Sequence, residues 1–599
     1  MGARVPRAIT LTLVGLIVLD HGRAAALPRY GPFEVSGNIA AQELIRFNPD
    51  IDKYALVQQR NTFKLRVDYQ MFENGQVLQK YDVPFIDRGK VFILYRGVYD
   101  SVYGLTPGFS QRDIYGNPIS SRLDDLSNRD AIAFENELRE AYIDLAFKQI
   151  PFSLRLGRQQ IVWGETDNFR MLDRVNALDL SWHLQQESWD ELRTPYWMMK
   201  GLWDFRQLGP LSNSFFEFYW NPGDWVPAKR VFQPRPWSVP FESPIPVLVD
   251  NFNKAFQTFA PKKGFTVSST LYNETQLFRQ GDYARNPMDN SQVGARFSAV
   301  TPQGVQFTVN YFYGRENGDD GTNTAAFSIL NQQDTIAALK AGQLPIEAIA
   351  PYVHTFGFSL NYAEDEYTQT VYRMETIYEL GVPFSDSTKT YVANKPPITG
   401  LTDRTLDRVA AAVLSNNAFG VSKRDMWKGM LAFDRPTWIR AVNRKATVLI
   451  LGQFFWHYLV DNPNILCAKP STDKEPCGGQ FNPQIKGFRG SFSSSGFTSG
   501  GVPFIDKVRD WESLVTLAAT TFYKGGKIVP FVVYVLDPVN SYNMEVIWMF
   551  DYFITNDIIL NLSQRYFINT VDHPVFETWG VAGTNRGRSE TGIRLTFQF

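Results

Sequence analysis

The feature that most constrains this chain is a period-two alternation of apolar and polar residues, repeated in segments of about ten residues. Gly, Pro, Asn and Asp separate the segments, as expected for turns. Because successive side chains of a β-strand point to opposite faces, each segment is predicted to be a strand with one apolar and one polar face. The clearest segments cover residues 63–71, 140–147, 305–313, 355–362, 372–378 and 558–565.

Alternation alone is compatible with two architectures. In a soluble β-sandwich the apolar faces turn inward, whereas in a transmembrane barrel they turn outward to lipid and the polar faces line a lumen. Membrane helices do not fit, because no apolar run after residue 26 is long enough to span a bilayer and the mean hydropathy is −0.24. Other features of the chain distinguish the sandwich from the barrel.

The N-terminus has the order of a secretory signal peptide. Arg4 and Arg7 precede an apolar run at residues 9–19, and small residues follow up to Ala26. We therefore predict that residues 1–26 are removed after export and that residues 27–599 form the mature domain. The alternative is an uncleaved anchor or a buried helix.

Aromatic residues are unusually frequent, at 15% of the chain against 20% for charged residues. They lie near the ends of the apolar faces, as in residues 215–220 and 311–313. Aromatic girdles at both interfaces are typical of barrels in lipid, because amphipathic rings are stable at headgroup depth. The distribution of rings therefore favours the barrel.

The C-terminal residues 592–599 also alternate, and their apolar face ends on Phe597 and Phe599. This pattern resembles the C-terminal signal by which bacterial outer-membrane barrels are recognised by their insertion machinery. The sequence thus predicts an all-β protein: a large antiparallel transmembrane β-barrel of roughly 14–18 strands. Its long loops are expected to carry short helices, at 325–350 and 400–417. The expected location is the outer membrane of a Gram-negative bacterium, and a secreted soluble β-protein is the alternative.

Two cysteines fit an exported protein. Cys467 and Cys477 bracket a polar, proline-containing loop, and an oxidising compartment would allow them to form a loop disulfide. A metal site at this loop would need further ligands, and no third cysteine or histidine lies in the segment. We therefore predict a disulfide there.

Motifs for covalent chemistry are absent from the sequence. The histidines of the predicted mature chain are scattered, without metal-binding spacing, and no glycine-rich phosphate loop or G-x-S-x-G motif occurs. We therefore predict no catalytic, metal or cofactor site and no cofactor. The remaining enzymatic hypothesis is a barrel-based lipid hydrolase that uses His457. Basic and acidic residues number 60 and 61, a net charge of −1, which argues against a nucleic-acid partner.

The stretch between two predicted strands carries the most specific motifs. Gly157-Arg158-Gln159 ends a strand, Trp163-Gly164-Glu165 forms a turn, and Asn176-Ala177-Leu178-Asp179 follows. These motifs resemble the proteobacterial outer-membrane family known as domain of unknown function 1302, in which proline usually stands at the position of Ala177. The resemblance implies a large outer-membrane barrel without a defined substrate. Because some family members are thought to work beside inner-membrane efflux-type transporters, it also implies traffic of hydrophobic molecules or lipids.

Charged residues of both signs concentrate in this stretch. They form an ion-pair network that anchors a loop folded into the barrel, a constriction that selects solutes, or a catalytic carboxylate pair. The candidates in the stretch are Arg158, Glu165, Asp167, Arg170, Asp173 and Arg174. The alternation adds further lumen candidates on the strands: Lys64, Arg66, Asp68, Glu140, Asp144, Arg155, Glu217, Arg373, Glu375, Arg565 and Arg594.

Taken together, these features predict an outer-membrane β-barrel channel or porin-like transporter that performs no covalent chemistry. A structural or docking barrel of an envelope complex, plugged inside, is the second hypothesis, and the lipid hydrolase is the third. The expected partners are outer-membrane lipid and the barrel assembly machinery. A periplasmic or inner-membrane transport partner is implied by the family resemblance.

Overall fold

The structure is a computed structural model. It describes residues 31–48, 53–77, 80–106, 108–112, 118–122, 133–167, 169–179, 182, 187–226, 228, 278–280, 287–316, 326–329, 344–386, 420–460, 511–538, 543–568 and 588–599. The predicted signal peptide, the loop with Cys467 and Cys477, and the region 400–417 lie outside these residues.

A closed antiparallel barrel of 18 strands forms the protein, as the alternation predicts. The first nine strands are β1 (Phe33–Asn48), β2 (Lys53–Glu73), β3 (Ile86–Asp100), β4 (Phe134–Phe147), β5 (Phe152–Gln159), β6 (Tyr196–Leu208), β7 (Leu211–Asn221), β8 (Gln292–Val300) and β9 (Gln306–Arg315). The second nine are β10 (Tyr352–Glu364), β11 (Thr370–Asp386), β12 (Gly420–Thr437), β13 (Val448–Leu459), β14 (Trp511–Thr520), β15 (Ile528–Asp537), β16 (Asn543–Phe553), β17 (Ile558–Ile568) and β18 (Ser589–Gln598).

The first and last strands close the ring. β1 pairs with β18 from Asn38 opposite Gln598 to Phe47 opposite Ser589. Every other barrel strand pairs with its neighbours in the chain, and the pairs are all antiparallel. Closure leaves no sheet edge with unpaired backbone groups, which is the condition for a sheet in hydrocarbon. One closed sheet also excludes the β-sandwich.

The two ends of the barrel differ in the length of their connections. At the end that carries the C-terminus, called the short-turn end, tight turns such as 148–151, 209–210, 301–305 and 554–557 join the strands. At the opposite, long-loop end the connections include 101–133, 160–195, 222–291, 316–351 and 460–510. The tightest turn uses Gly209 at φ +61°, a left-handed conformation that a side chain would disfavour.

Each strand has one outward and one inward face, and β11 illustrates the assignment. Glu375 and Glu379 are 1% and 0% exposed and face the interior, whereas Tyr372 and Tyr378 on the other face are 42% and 37% exposed. Rings on the outside and carboxylates on the inside reverse the arrangement of a soluble β-protein.

Exposed rings form a belt near each end of the outer surface. The belt near the long-loop end includes Trp197, Trp220, Tyr378, Trp427, Tyr458, Trp511 and Tyr534. The belt near the short-turn end includes Trp203, Phe205, Tyr362, Tyr372, Phe433, Trp438 and Tyr552. The high aromatic content of the sequence is thus explained largely by an outer surface rather than by a core.

Helices are short in the described residues. Single turns occur at Val102–Leu105, Trp189–Leu192, Pro287–Asn290 and Lys524–Gly526. The expectation of helix within 325–350 is wrong where the structure describes it, because Ala326–Ile329 and Leu344–Ile349 form a small sheet with Phe278–Gln280. Pro345 and several β-branched isoleucines favour extended chain there.

Three further short pairings complete the described elements. Gly108–Arg112 pairs with Pro118–Arg122, and the two-residue strands Gln76–Val77 and Tyr81–Asp82 extend the β2–β3 connection. None of the helices in the described part of the chain is long and apolar enough to cross a membrane.

Candidate functional site

The connection between β5 and β6, residues 160–195, makes hydrogen bonds, ion pairs and apolar contacts with the inner wall. We call it the inner segment. Its first half, 160–177, contacts β7, β9, β11, β12 and β13, and its second half, 178–195, contacts β2, β3 and β4. In a ring of 18 strands, β2 and β11 stand on opposite sides. A segment that contacts both walls lies inside the barrel and crosses it.

Trp163 anchors the first half on the wall formed by β7, β8 and β9. Its ring lies 5.5 Å from that of Tyr219 and 4.9 Å from that of Phe312, measured between centroids. The indole N–H donates a hydrogen bond to Glu217, and the guanidinium of Arg296 lies 5.5 Å from the Trp163 ring. Trp163 is 2% exposed, so this contact excludes water.

A second apolar contact fixes the first half on the wall formed by β10 to β13. Phe169 packs edge-to-face on Phe455 at 5.2 Å, and Met171 joins the same buried cluster. Leu172 fills the space above Gly357 of β10, where a Cβ atom would collide with its Cδ2. The glycine therefore permits the close approach of segment and wall.

Glu375 of β11 binds the backbone of the segment. Its carboxylate accepts hydrogen bonds from the N–H of Glu165 and, at 3.2 Å, from the N–H of Leu172. Beside it, Arg373 donates to the carbonyl oxygen of Glu165 at 2.6 Å and to the carboxylate of Asp167 at 2.8 Å. The polar inward face of β11 thus satisfies backbone groups that form no regular secondary structure.

Buried polar residues order the segment itself. Asn176 is fully buried; its Oδ1 accepts the Ile161 N–H at 2.9 Å and its Nδ2 donates to the Thr194 carbonyl at 2.8 Å. Ala177 donates its N–H to the Tyr196 hydroxyl at 3.2 Å. A proline at this position would have no N–H to donate.

Arginines link the middle of the segment to itself and to the wall. Asp173 accepts from Arg193 at 2.8 Å and lies 3.3 Å from Arg170. Arg174 reaches the wall and pairs with Glu316 at 3.1 Å and with Glu379 at 2.8 Å. Of the charged residues predicted in this stretch, Arg170 and Asp173 are therefore brought together, whereas Arg174 pairs with the wall.

The second half is held by ion pairs with β2 and β3. Glu187 pairs with Arg60, and Glu191 pairs with Lys64 and, at 3.1 Å, with Arg96. The Arg96 guanidinium is almost fully buried and also binds carboxylates of β4. These charge-assisted hydrogen bonds add to the apolar contact of Trp182 with Val98 and Val102.

These cations determine the ionisation of Glu191, which lies outside the barrel strands. Burial raises the pKa of the carboxyl group, but the charges of Lys64 and Arg96 outweigh burial and set its pKa at about 2, below the ordinary 4.5. Glu191 is therefore ionised over the whole neutral range.

The structure places the remaining predicted residues in three groups. Arg158 pairs with Glu137 at 2.9 Å, next to the second half. Arg66, Asp68, Glu140 and Asp144 lie on the wall of β2 to β4, where Arg66 pairs with Asp68 at 2.6 Å and Asp144 with Arg155 at 2.6 Å. Arg565 pairs with Glu545 on β16, and Arg594 of β18 borders a small cavity with Glu187 and Glu191. Their predicted role in a lumen or constriction stays a prediction.

The sequence motifs do not single out several residues of the site. Trp163 is marked only as part of a turn motif, and Arg96, Lys90 and Arg296 lie outside the motifs. The alternation carries the signal for the last three, because Lys90 and Arg96 share one face of β3 and Arg296 sits between apolar positions of β8. Trp163 has no comparable signal, because it lies in irregular chain.

Other sequence predictions concern residues away from the inner segment. Phe599 exchanges backbone hydrogen bonds of 2.9 and 3.0 Å with Gly37, and its ring lies 6.3 Å from that of Phe597. Their role as an assembly signal stays a prediction. His457 lies on β13 opposite Lys428 and Glu512. Within the described ranges, no group of three or more His, Cys, Asp or Glu residues is placed to hold a metal ion.

A closed β-barrel crossed by an inward-folded segment is the class that this geometry defines. Residues 53–500 match the family described as "Protein of unknown function (DUF1302)", and the chain belongs to that family. The match includes the inner segment and the strands that hold it. No curated protein matches the sequence.

Comparison with solved structures finds several similar proteins. Acinetobacter baumannii OccAB4 has 9% sequence identity and a TM-score of 0.40, with 95% of this chain and 99% of that chain covered. Salmonella typhi OmpF, in a complex with daunomycin, has 9% identity and a TM-score of 0.34, with 95% and 97% covered. Pseudomonas aeruginosa OccK2 (OpdF), in complex with glucuronate, has 6% identity and a TM-score of 0.37, with 94% and 98% covered.

Proposed function

We propose that this protein is a porin-like channel of the outer membrane in which the inner segment forms the constriction. The observation that carries the proposal is the segment itself, which joins opposite walls of a barrel whose inward face is polar. A segment across a lumen narrows it, and charged side chains at a narrowing discriminate between solutes. Passage of this kind requires no covalent step.

The outer surface supports a position in a membrane. On β6, Trp197 and Trp203 are exposed at the two belts, and Met199 and Gly201 lie between them on the same face. Exposed rings at both ends of an outward face are typical of barrels in lipid, where they flank the apolar band. The export signal predicted at residues 1–26 supports an integral outer-membrane protein of a Gram-negative bacterium, inserted by the barrel assembly machinery.

The wall favours passage along the barrel axis. Backbone pairing joins each of the neighbouring barrel strands in the described residues, including β10 and β11 beneath an outer groove of about 450 Å³ lined by Phe356, Tyr378 and Trp427. A solute could leave sideways into lipid only through a gap between two paired strands of the barrel. Lipid or hydrophobic cargo, and a transport partner at the inner membrane, remain the alternative that family resemblance implies.

Insertion of the purified protein into planar lipid bilayers tests the proposal. We expect stepwise increases of current, and recovery of the protein in the outer-membrane fraction of cells. A barrel that inserts but passes no current, or recovery in the soluble periplasm, would contradict the proposal.

A structural barrel without flux is the second candidate, and one observation favours it. The interior holds ion pairs that are almost fully buried, such as Lys428 with Glu379 at 2.8 Å, so side chains are closely packed at that part of the wall. If the barrel is closed, it should conduct no ions and should retain a stable periplasmic partner in pull-down experiments.

A further inference from the structure

A row of cations lies on the inner wall, on the short-turn side of the inner segment. The register places Lys90 opposite Asp144, Asp144 opposite Arg155, and Arg155 opposite Lys200 across consecutive strands. Arg296 extends the row through Glu217, which is its register partner on β7. Arg66 of β2 completes it at the other end. We call Arg66, Lys90, Arg155, Lys200 and Arg296 the cation row.

Carboxylates hold each cation of this row in place. Asp68 binds both Arg66 and Lys90, and Asp144 binds Arg155. Lys200 and Arg296 share Glu217, each with its nitrogen 3.7 Å from a carboxylate oxygen. The row is therefore distinguished by which charges are exposed rather than by an excess of cations.

At both ends of the row the cations are more exposed than the carboxylates that they bind. The side chain of Arg66 is 49% exposed against 9% for Asp68. Lys200 and Arg296 are 22% and 18% exposed, whereas Glu217 between them is 4% exposed and already accepts the indole N–H of Trp163. In the middle of the row Asp144 is 37% exposed and Arg155 24%. An incoming solute therefore meets positive charge first at the two ends of the row.

Aromatic rings lie under most of these cations. Arg66 and Lys90 are 5.0 and 6.0 Å from the Phe92 ring, and Arg155 is 4.0 Å from the Tyr142 ring. The rings of Phe92 and Tyr142 stack at 4.8 Å. At the other end of the row, Arg296 lies 5.5 and 5.4 Å from the rings of Trp163 and Phe215.

We propose that the cation row binds the acid group of small organic anions that enter the lumen, with the rings beneath the cations holding them in position. The proposal rests on the channel function proposed above and names its substrate class. Guanidinium and ammonium groups recognise carboxylates by charge-assisted hydrogen bonds, and a cation over an aromatic face is held there by the charge distribution of the ring. The far wall offers no matching charge at β14 and β15, where Ala518, Val533 and Val535 face Phe169.

Ion selectivity of the wild-type channel and of Lys200→Gln/Arg296→Gln in planar bilayers tests this inference. We expect the wild type to prefer chloride over potassium in a KCl gradient, and the double variant to lose about fivefold of that preference. Benzoate is expected to interrupt the wild-type current at concentrations at which benzylammonium does not. The interruption should weaken in the double variant.

Arg594→Gln is the matched control, because it removes one charge from β18, away from the row. Its preference for chloride over potassium should change less than that of the single variant Lys200→Gln. A channel that conducts but prefers potassium, or whose response to benzoate is the same in the double variant, would overturn the inference and leave the channel function intact. A wild-type barrel that inserts without conducting would overturn both. Heat-modifiable migration in gel electrophoresis, compared between unheated and boiled samples of each variant, confirms that the barrel has folded.

Discussion

The two halves of the inner segment are held in the barrel by different proportions of apolar contacts and ion pairs. The first half buries Trp163, Met171 and Leu172 among apolar side chains and donates backbone N–H groups to Glu375. The second half buries Trp182 against β3 but places Glu187 and Glu191 beside cations of β2 and β3. Apolar contacts do not depend on the ionisation of neighbours, whereas ion pairs depend on ionisation and are screened by salt. The second half is therefore expected to respond more strongly to pH and salt than the first half.

The largest effect is expected from Trp163→Ala, which removes the main anchor of the first half. Loss of a buried tryptophan costs about 3–5 kcal/mol and leaves Glu217 without its indole donor. Hydrogen exchange of peptides from 161–177 should become much faster, while exchange of the barrel strands changes little. Trp163→Phe, which keeps a ring but no N–H, should have a smaller effect. Equal protection in Trp163→Ala and wild type would contradict the account.

Glu375→Gln should have the next largest effect. The amide can still accept one hydrogen bond from the segment, but the charge-assisted bonds to the N–H groups of Glu165 and Leu172 weaken by about 2 kcal/mol. Exchange of these two amides should accelerate more than that of the Asn176–Ala177 region. If the whole first half loosens to the extent seen with Trp163→Ala, the two contacts do not act separately.

The ionisation of Glu191 predicts an acid transition confined to the second half. Its folded pKa of about 2 lies below the ordinary 4.5, so its contribution to docking is complete above about pH 4.5 and is lost as the pH falls towards 2. Exchange of peptides from 187–193, corrected for the intrinsic effect of pH, should therefore rise over this interval. In Glu191→Gln, exchange of these peptides should already be faster than in the wild type at neutral pH. The rise in exchange that comes from protonation of Glu191 should be missing in this variant.

The smallest effect is expected from Asp190→Asn. The Asp190 side chain is 83% exposed and pairs with Arg193, which also binds the buried Asp173. An exposed pair of this kind contributes less than about 0.5 kcal/mol. Exchange in both halves should be unchanged within error, and a large loss of protection would mean that the ion pairs of the second half act as one network.

Much of the fold could be predicted because one periodic signal specifies it. The alternation that places Lys64, Arg66 and Asp68 on one face of β2 also determines which residues face the interior of the other strands. Helix was wrongly expected at Ala326–Ile329 and Leu344–Ile349, because the apolar spacing there fits either structure and the pairing partner, Phe278–Gln280, is remote in sequence.

The sequence predicted which segment forms the site but not which residues of the barrel contact that segment. The motifs at 157–165 and the charges that follow pointed to the correct segment. The residues that bind the segment are remote in sequence, because Glu165 is bound by Glu375 and Asp167 by Gln453. Such pairs depend on the closure of the barrel and on the depth to which the segment enters, and neither is encoded in local spacing. For the same reason the sequence does not predict that Trp163 anchors the segment, because its anchoring depends on the rings of Tyr219 and Phe312.

Single-channel conductance of a barrel that lacks the inner segment tests the central claim most directly. Residues 160–195 are replaced by an Asn-Gly turn that joins β5 and β6 as a hairpin, a connection that the pairing of Gln159 with Tyr196 allows. If the segment crosses and narrows the lumen, the shortened barrel should conduct several times more current per channel than the wild type in the same salt. Equal conductance of the two folded barrels would contradict the account.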